Sequence, residues 1–505
     1  MRSPARAKGM TGGCIRRVLT GGALALALTV GGCRPPSSGP VRVTVIGEEQ
    51  PKLTDPASGP LTAPQAVLLQ NVAQGLVRFD AQGNIVSGLA ERWNVSDDGL
   101  SYIFRLQTGE WPDGRKINAQ DIARLLRRQL AAASRNPLKD TYGAVAEVVA
   151  MTDRVVEIRL LAPRPHLLQL LAQPEFALVR NGQGTGPFSV EERDGAVLML
   201  ERSLAGGESE RDERERVELR SAAAGAAVRA FSTGDTDLVL GGTFSTLPFA
   251  AAARVPRGTL RFDPVAGLFG LVPAREGGLL DDQEIRSLLD RALDRQALVA
   301  AMGVPDLEAR ASLLQPGLDG DLVPTVPAWA TVALAERRPE LIAEARRLLA
   351  EEAGEDGEPV ILRVDLPEGA AGALVLGRLR ADWGPLGLQV ERAERGQPAD
   401  LRLVDLVAPS TSPAWFLRQF RCDVAPVCSE EADELLSAAR AAPIAQQRNA
   451  LLAEAERTIR EESLFLPLAA PVRWSLVARG LPGFAENRFA IHPLSNLRNR
   501  PGEER

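Results

Sequence analysis

Apolar positions recur with two different periods along this chain. Residues 41–47 (VRVTVIG) are β-branched, alternate with period two and stop at a glycine, which predicts a first strand. Residues 61–77 place Val67, Leu68, Val72 and Leu76 at helical spacing, and residues 79–84 (FDAQGN) follow as a turn. Residues 101–107 (SYIFRLQ) alternate again, as a half-buried strand does. Asn118 and Asp121 form a capping-box pattern, and the helix they open, DIARLLRRQL, puts Ile122, Leu125 and Leu126 on one face. Residues 145–161 read as two strands and run into a loop with Pro163 and Pro165.

A glycine loop, GQGTGPF (182–188), leads into a strand-like FSVEER. Its G-x-G-x-G spacing, with Pro187 where a helix should open, is not a dinucleotide fingerprint. Residues 201–220 are dense in charge and predict a solvated surface stretch. Residues 281–300 predict one helix: Ile285, Leu288, Leu289, Ala292 and Leu293 fall at i, i+3, i+4, i+7 and i+8 behind an acidic first turn. A helix is expected at 340–353, strands at 359–367 and 388–394 around a helix at 372–383, and a buried strand at 399–407. Helices near 430–440 and 444–462 precede a return to strands in LFLPLAAPVRWSLVA. This alternation over most of the length makes the chain an α/β protein.

The start of the chain follows neither period. Residues 2–17 are basic, and residues 18–30 (VLTGGALALALTV) are an apolar run. Such a run suits a signal-peptide core and falls short of the ~20 residues a membrane-spanning helix needs. It ends in Val30-Gly31-Gly32-Cys33, which resembles the lipobox of bacterial lipoproteins, with Cys33 as the lipid acceptor. A Pro/Ser tether, RPPSSGP, follows. The alternative is an ordinary secretory signal with an incidental Cys33. Lipidation would hold the protein on a membrane surface without spanning it.

Charge then narrows the chemistry. The chain of 505 residues carries 59 basic and 65 acidic residues, a formal net charge of -6. Five of the basic residues and none of the acidic ones lie in residues 1–32, so their removal leaves 54 against 65, or -11. Such a surface is a poor partner for nucleic acid. None of the four lysines is followed by Ser or Thr, so no P-loop is present. The two histidines, His166 and His492, are far apart and form no zinc-type cluster. With Cys33 assigned to lipid and Cys14 to the leader, Cys422 and Cys428 remain, and an exported protein would join them as a disulfide. A catalytic thiol is the alternative, and it would need a nearby base.

Taken in order, these segments resemble the family 5 extracellular solute-binding proteins of bacterial ABC importers, the dipeptide, oligopeptide and nickel group. Residues 74–126 follow the family's succession of a "GL" helix end, a turn, "L-A-x-x-W", "D-G-x-x-Y-x-F-x-L" and "D-G-x-x-x-x-A-x-D". Gly184-Thr185-Gly186-Pro187-Phe188, the helix DDQEIRSLLDRALDRQALV and EAERTIREESLFLPL (454–468) are similar to its later motifs. The resemblance implies a two-lobed periplasmic-binding-protein fold of type II, with an extra small domain on the first lobe. It implies a signal peptide at 1–32, a tether at 33–40, a first lobe from 41–73, 179–265 and 470–505, the extra subdomain at 74–178, and a second lobe at 266–469. Trp93, Trp111, Asp113 and Gly114 would be structural.

The resemblance also implies a function. The lobes would close over a solute, most simply a peptide, and hand it to ABC permease subunits from the periplasmic side of the cell membrane, as a lipid-anchored monomer. No catalytic residue, metal or cofactor is assigned. Asp405, in a D-x-x-x-P context, is similar to the aspartate that pairs with a peptide's α-ammonium in peptide-binding members, though it could equally cap a turn. Trp415 and Phe416 would line an apolar wall, and Glu49 and Gln50 resemble the segment beside a bound peptide. The family's Asn-Pro-Asp-Tyr-Trp is missing after Leu200-Glu201-Arg202, and only two tyrosines are present. A diverged member acting as an envelope scaffold or sensor, and an exported hydrolase, are the competing readings.

Overall fold

Two large sheets organise the molecule, seen in a computed structural model that describes residues 39–204, 213–320, 322–350, 360–495 and 497. The expected leader, Cys14 and the acceptor Cys33 lie outside the described residues. Among the described residues no helix is long and apolar enough to cross a membrane.

The first sheet has seven strands in the order Leu260–Phe262, Arg473–Val477, Leu238–Thr243, Val41–Ile46, Glu213–Ala222, Val197–Leu204 and Ser189–Asp194. Val41–Ile46 is central and parallel to both neighbours, so it is buried almost throughout, as parallel strands covered on both faces are. The second sheet has five strands in the order Leu388–Arg392, Val360–Asp365, Leu401–Val407, Gly267–Pro273 and Leu466–Ala469. Gly267–Pro273 is buried at every position. A Cβ on Gly267 would lie 1.9 Å from the Leu406 carbonyl oxygen, so only glycine allows this approach of backbones.

The chain crosses between the two sheets twice, at residues 263–266 and 470–472. The crossings run side by side, with the Asp263 amide donating to the Arg473 carbonyl at 3.0 Å. Paired crossings of this kind let two lobes swing about a short hinge. A smaller four-stranded sheet, Ala90–Val95, Ser101–Leu106, Val155–Leu160 and Val145–Thr152 in that order, is inserted after the first strand of the seven-stranded sheet. Helix Ala119–Leu130 packs on it through Ile122, Leu125 and Leu126. The Asn118 side chain caps this helix by accepting from the Asp121 amide at 2.8 Å.

Three local expectations change. The helix expected over 281–300 is two helices, Gln283–Ala292 and Arg295–Met302. Asp294 breaks the run: its carboxylate accepts from the Ala297 amide at 3.0 Å and caps the second helix, while its own amide donates to Asp382 at 2.9 Å. Asp294→Ala is expected to cost about 1 kcal/mol, the usual value of an N-cap, measured by urea unfolding. The charge run at 201–220 is not a simple solvated stretch. Its described ends form the antiparallel pair Val197–Leu204 and Glu213–Ala222, where Glu201 holds Arg214 and Arg216, each at 2.7 Å, and buried Glu215 holds Arg202 at 2.6 Å. Alternating charges laid cross-strand neutralise one another, which the linear sequence does not display. The strand Leu401–Val407 is half-buried over most of its length rather than buried. Gly184 and Gly186 lie against the backbone of residues 71–73, where a Cβ would come within 2.4–2.5 Å of carbonyl oxygens. The glycine loop is therefore a packing device at a helix end.

Candidate functional site

The strand Leu401–Val407 leads into a buried turn, Pro409 to Ser412, and then the short helix Pro413–Leu417. This turn is where the second lobe meets the small inserted unit. Gln173 Nε2 donates to the Pro409 carbonyl at 2.6 Å, and the Thr411 amide donates to Gln169 Oε1 at 2.8 Å. The Thr411 hydroxyl donates to Asp319 at 2.7 Å, and the other Asp319 oxygen lies 3.5 Å from His166 Nδ1. His166, backed by the Thr411 hydroxyl, holds the Asp319 carboxyl below the usual carboxylate range. Burial pushes the His166 imidazole down, against the pull of Asp319.

Beside this network lies a cavity of about 340 Å³. Arg164, Pro165 and His166 come from the inserted unit; Asp319, Trp415 and Arg418 come from the second lobe. Helices Glu430–Ala441 and Ala445–Glu461 bring Arg440 and Arg448 to the same space. Arg164 Nη2 donates to the Arg440 carbonyl at 3.0 Å and Arg448 Nη1 to the Pro163 carbonyl at 3.3 Å, so both side chains bridge the two halves. Burial, then the nearby Arg448 and Arg440 charges, push the Arg164 guanidinium down to about 10. Apolar and charged groups thus face one concave space, the usual makeup of a small-ligand pocket.

A second cavity, about 470 Å³, lies at the lobe crossing and is lined by Asp263, Arg310, Arg473 and Glu486 among others. Arg473, at the first position of its strand, donates from Nη1 to Asp405 Oδ1 at 2.7 Å. Burial raises the Asp405 carboxyl and Arg473 opposes the rise. Arg310 is pushed down by burial.

The residues singled out from sequence separate in space. Trp415 lines the first cavity and is 7% exposed. Phe416 does not share that wall: it is 0% exposed, within the second lobe's core, with Trp415 edge-on at 5.1 Å. On a helix, consecutive residues point about 100° apart, so an adjacent pair does not share one face. Asp405 sits within its strand opposite Phe269, and its partner is the chain's own Arg473. Glu49 and Gln50 are exposed after the first strand, Glu49 accepting from Gln65 at 3.3 Å, and neither lines the two cavities described. Cys422 and Cys428 form a disulfide, Cα–Cα 5.1 Å, just beyond Arg421. Sequence reasoning missed Arg164, His166, Asp319, Arg440 and Arg448. Only His166 carried any signal, as one of two histidines set in a proline-rich loop.

Two α/β lobes joined by paired crossings, with a smaller unit inserted in the first, define a periplasmic-binding-protein fold of type II. The profile of the bacterial extracellular solute-binding proteins, family 5 (middle portion), matches residues 84–395, and the chain belongs to that family. It is 26% identical over 482 residues to the probable di/tripeptide-binding protein 5 of Pseudomonas aeruginosa, covering 84% of this chain and 89% of that one. A dipeptide-binding protein of the same species is 23% identical over the same shares of each chain. Haemophilus influenzae OppA, solved in complex with RPPGFSPFR, superposes with a TM-score of 0.76 at 17% identity over 91% of this chain and 99% of that one. The Escherichia coli murein tripeptide binding protein MppA gives 0.74 at 18% identity over 91% and 98%. By that family the chain is a bacterial extracellular solute-binding protein.

Proposed function

We propose that this protein captures a small solute of peptide type between its lobes and delivers it to a membrane permease. It does so from the periplasmic side of the cell membrane, tethered by lipid on Cys33 after loss of residues 1–32. The open cavity at the contact of the inserted unit and the second lobe carries this reading. Its volume is at the low end of the ~300–1,000 Å³ of small-ligand pockets, a size for a short peptide rather than a long one. The di/tripeptide-binding and dipeptide-binding relatives point the same way. Contacts made only when the halves meet would let the solute draw them together. Asp405 belongs to the hinge in this reading, and Trp415 is the aromatic wall.

Titration of a di- and tripeptide library, followed by tryptophan fluorescence, is expected to give saturable changes for a subset, and Trp415→Phe is expected to diminish them. Cys33→Ser is expected to move the protein from the membrane fraction to the soluble one. A fluorescence signal indifferent to every peptide and small solute tried would refute solute capture, and unaltered fractionation of the Cys33 variant would refute the anchor.

A further inference from the structure

We propose that the cavity between the inserted unit and the second lobe takes a small polyanion: a solute with two or more carboxylate or phosphate groups, held by Arg164, Arg440 and Arg448, its apolar part on Trp415. The proposal deepens the interlobe-capture reading and rests on it.

The chain is net negative, 59 basic residues against 65 acidic ones. Chance would not gather cations here, yet five arginines (164, 418, 421, 440 and 448) and only two aspartates (140 and 319) line this one space. Elsewhere many arginines face carboxylates, as in Arg42–Asp237 at 2.8 Å and Arg378–Asp382 at 2.6 Å, while others, such as Arg286 and Arg380, donate to backbone carbonyls. Three arginines of the second kind converge on this cavity. Arg164 donates to the Pro163 and Arg440 carbonyls, Arg440 to the Asp140 carbonyl, and Arg448 to the Pro163 carbonyl. None of the three has a carboxylate within ion-pair distance among the described residues.

A carbonyl supplies a partial negative charge and orients a guanidinium, but it does not cancel the charge. The contact of the two halves therefore brings like charges together, which the lowered Arg164 also reflects. Each guanidinium has five N–H donors, and these bonds use one or two of them. A ligand with several anionic oxygens would take the remaining donors and relieve the repulsion. Because Arg164 and Arg448 join the halves, the anion would favour the contact itself, so binding and closure would be one event. A purely mechanical role for these arginines predicts something else: their loss would weaken every ligand alike.

The test uses the mature chain and calorimetric titration with Glu-Glu-Glu, citrate, Ala-Ala-Ala and Lys-Lys-Lys. Glu-Glu-Glu or citrate is expected to bind at least about tenfold more tightly than Ala-Ala-Ala, with affinity falling as NaCl rises. Binding of citrate alone would identify an organic polyacid, and binding of Glu-Glu-Glu alone an acidic peptide. Arg440→Gln and Arg448→Gln should each weaken the anion by about tenfold, as loss of one charge-assisted bond does, and leave Ala-Ala-Ala binding unchanged. Arg395→Gln, which removes an exposed pair with Glu368, should leave binding as it was. Ala-Ala-Ala binding as tightly as Glu-Glu-Glu, or arginine variants that weaken both equally, would overturn the anionic class and leave solute capture standing. Failure of both Glu-Glu-Glu and citrate to bind would likewise overturn the anionic class, while solute capture stands or falls with the di- and tripeptide library.

Discussion

Arg473→Met is expected to lower stability by about 3 kcal/mol at neutral pH, the lower end of what breaking a buried ion pair costs. The side chains of Arg473 and Asp405 are 17% and 23% exposed, which keeps the effect toward that end. Arg473 opens a strand of the seven-stranded sheet and Asp405 lies within the five-stranded one, so the pair ties the lobes beside their crossings. Without Arg473, a carboxylate already raised by burial loses the cation that opposes the rise. An acid whose folded pKa exceeds its unfolded value gives stability that is full below the unfolded pKa and is lost as pH rises through the folded one. The variant's deficit should therefore be largest at neutral pH and shrink as pH falls toward the ordinary carboxylate range. Urea unfolding at several pH values measures this. The double variant Asp405→Leu, Arg473→Met should recover most of the loss, because both charges leave together. A deficit that is flat with pH, or no recovery in the double variant, would contradict the account.

Trp383→Ala carries the largest expected effect, about 3–5 kcal/mol, from removal of a large fully buried side chain. Trp383 ends helix Ala370–Trp383, is 0% exposed, and packs in the core shared with helix Gln283–Ala292. Its indole Nε1 donates to the Leu289 carbonyl at 3.0 Å, so truncation both opens a cavity and leaves a buried acceptor without that donor. Trp383→Phe keeps much of the ring volume and should cost less than half as much. Denaturant unfolding of the two variants separates packing from hydrogen bonding. A loss below about 1 kcal/mol for the alanine would show that the site collapses around the gap.

The two variants probe different parts of what could be read in advance. The sequence places a helix at 372–383 between two strands, close to the observed Ala370–Trp383, and the resemblance carried by the order of motifs implies the paired lobes. Local rules read these well because period, cap and glycine spacing act between near neighbours. The same rules failed at Asp294, where a cap and a long-range bond to Asp382 outweigh an unbroken apolar period. Phe416, offered beside Trp415 by the family resemblance, is buried in the core, since adjacency in sequence is not adjacency on a helix face.

By itself the sequence determined the α/β alternation and the cysteine pair available for a disulfide, which are written in local pattern, and through the order of its motifs the family resemblance that implies the two-lobed plan. Tertiary structure alone decided which of many arginines converge. Arg164, Arg440 and Arg448 come from segments up to 284 residues apart, and nothing local distinguishes them from arginines that end in ordinary ion pairs. It also decided that Asp405 meets Arg473 rather than open solvent. Charge acts through space, and the distances over which it acts exist only once the chain has folded.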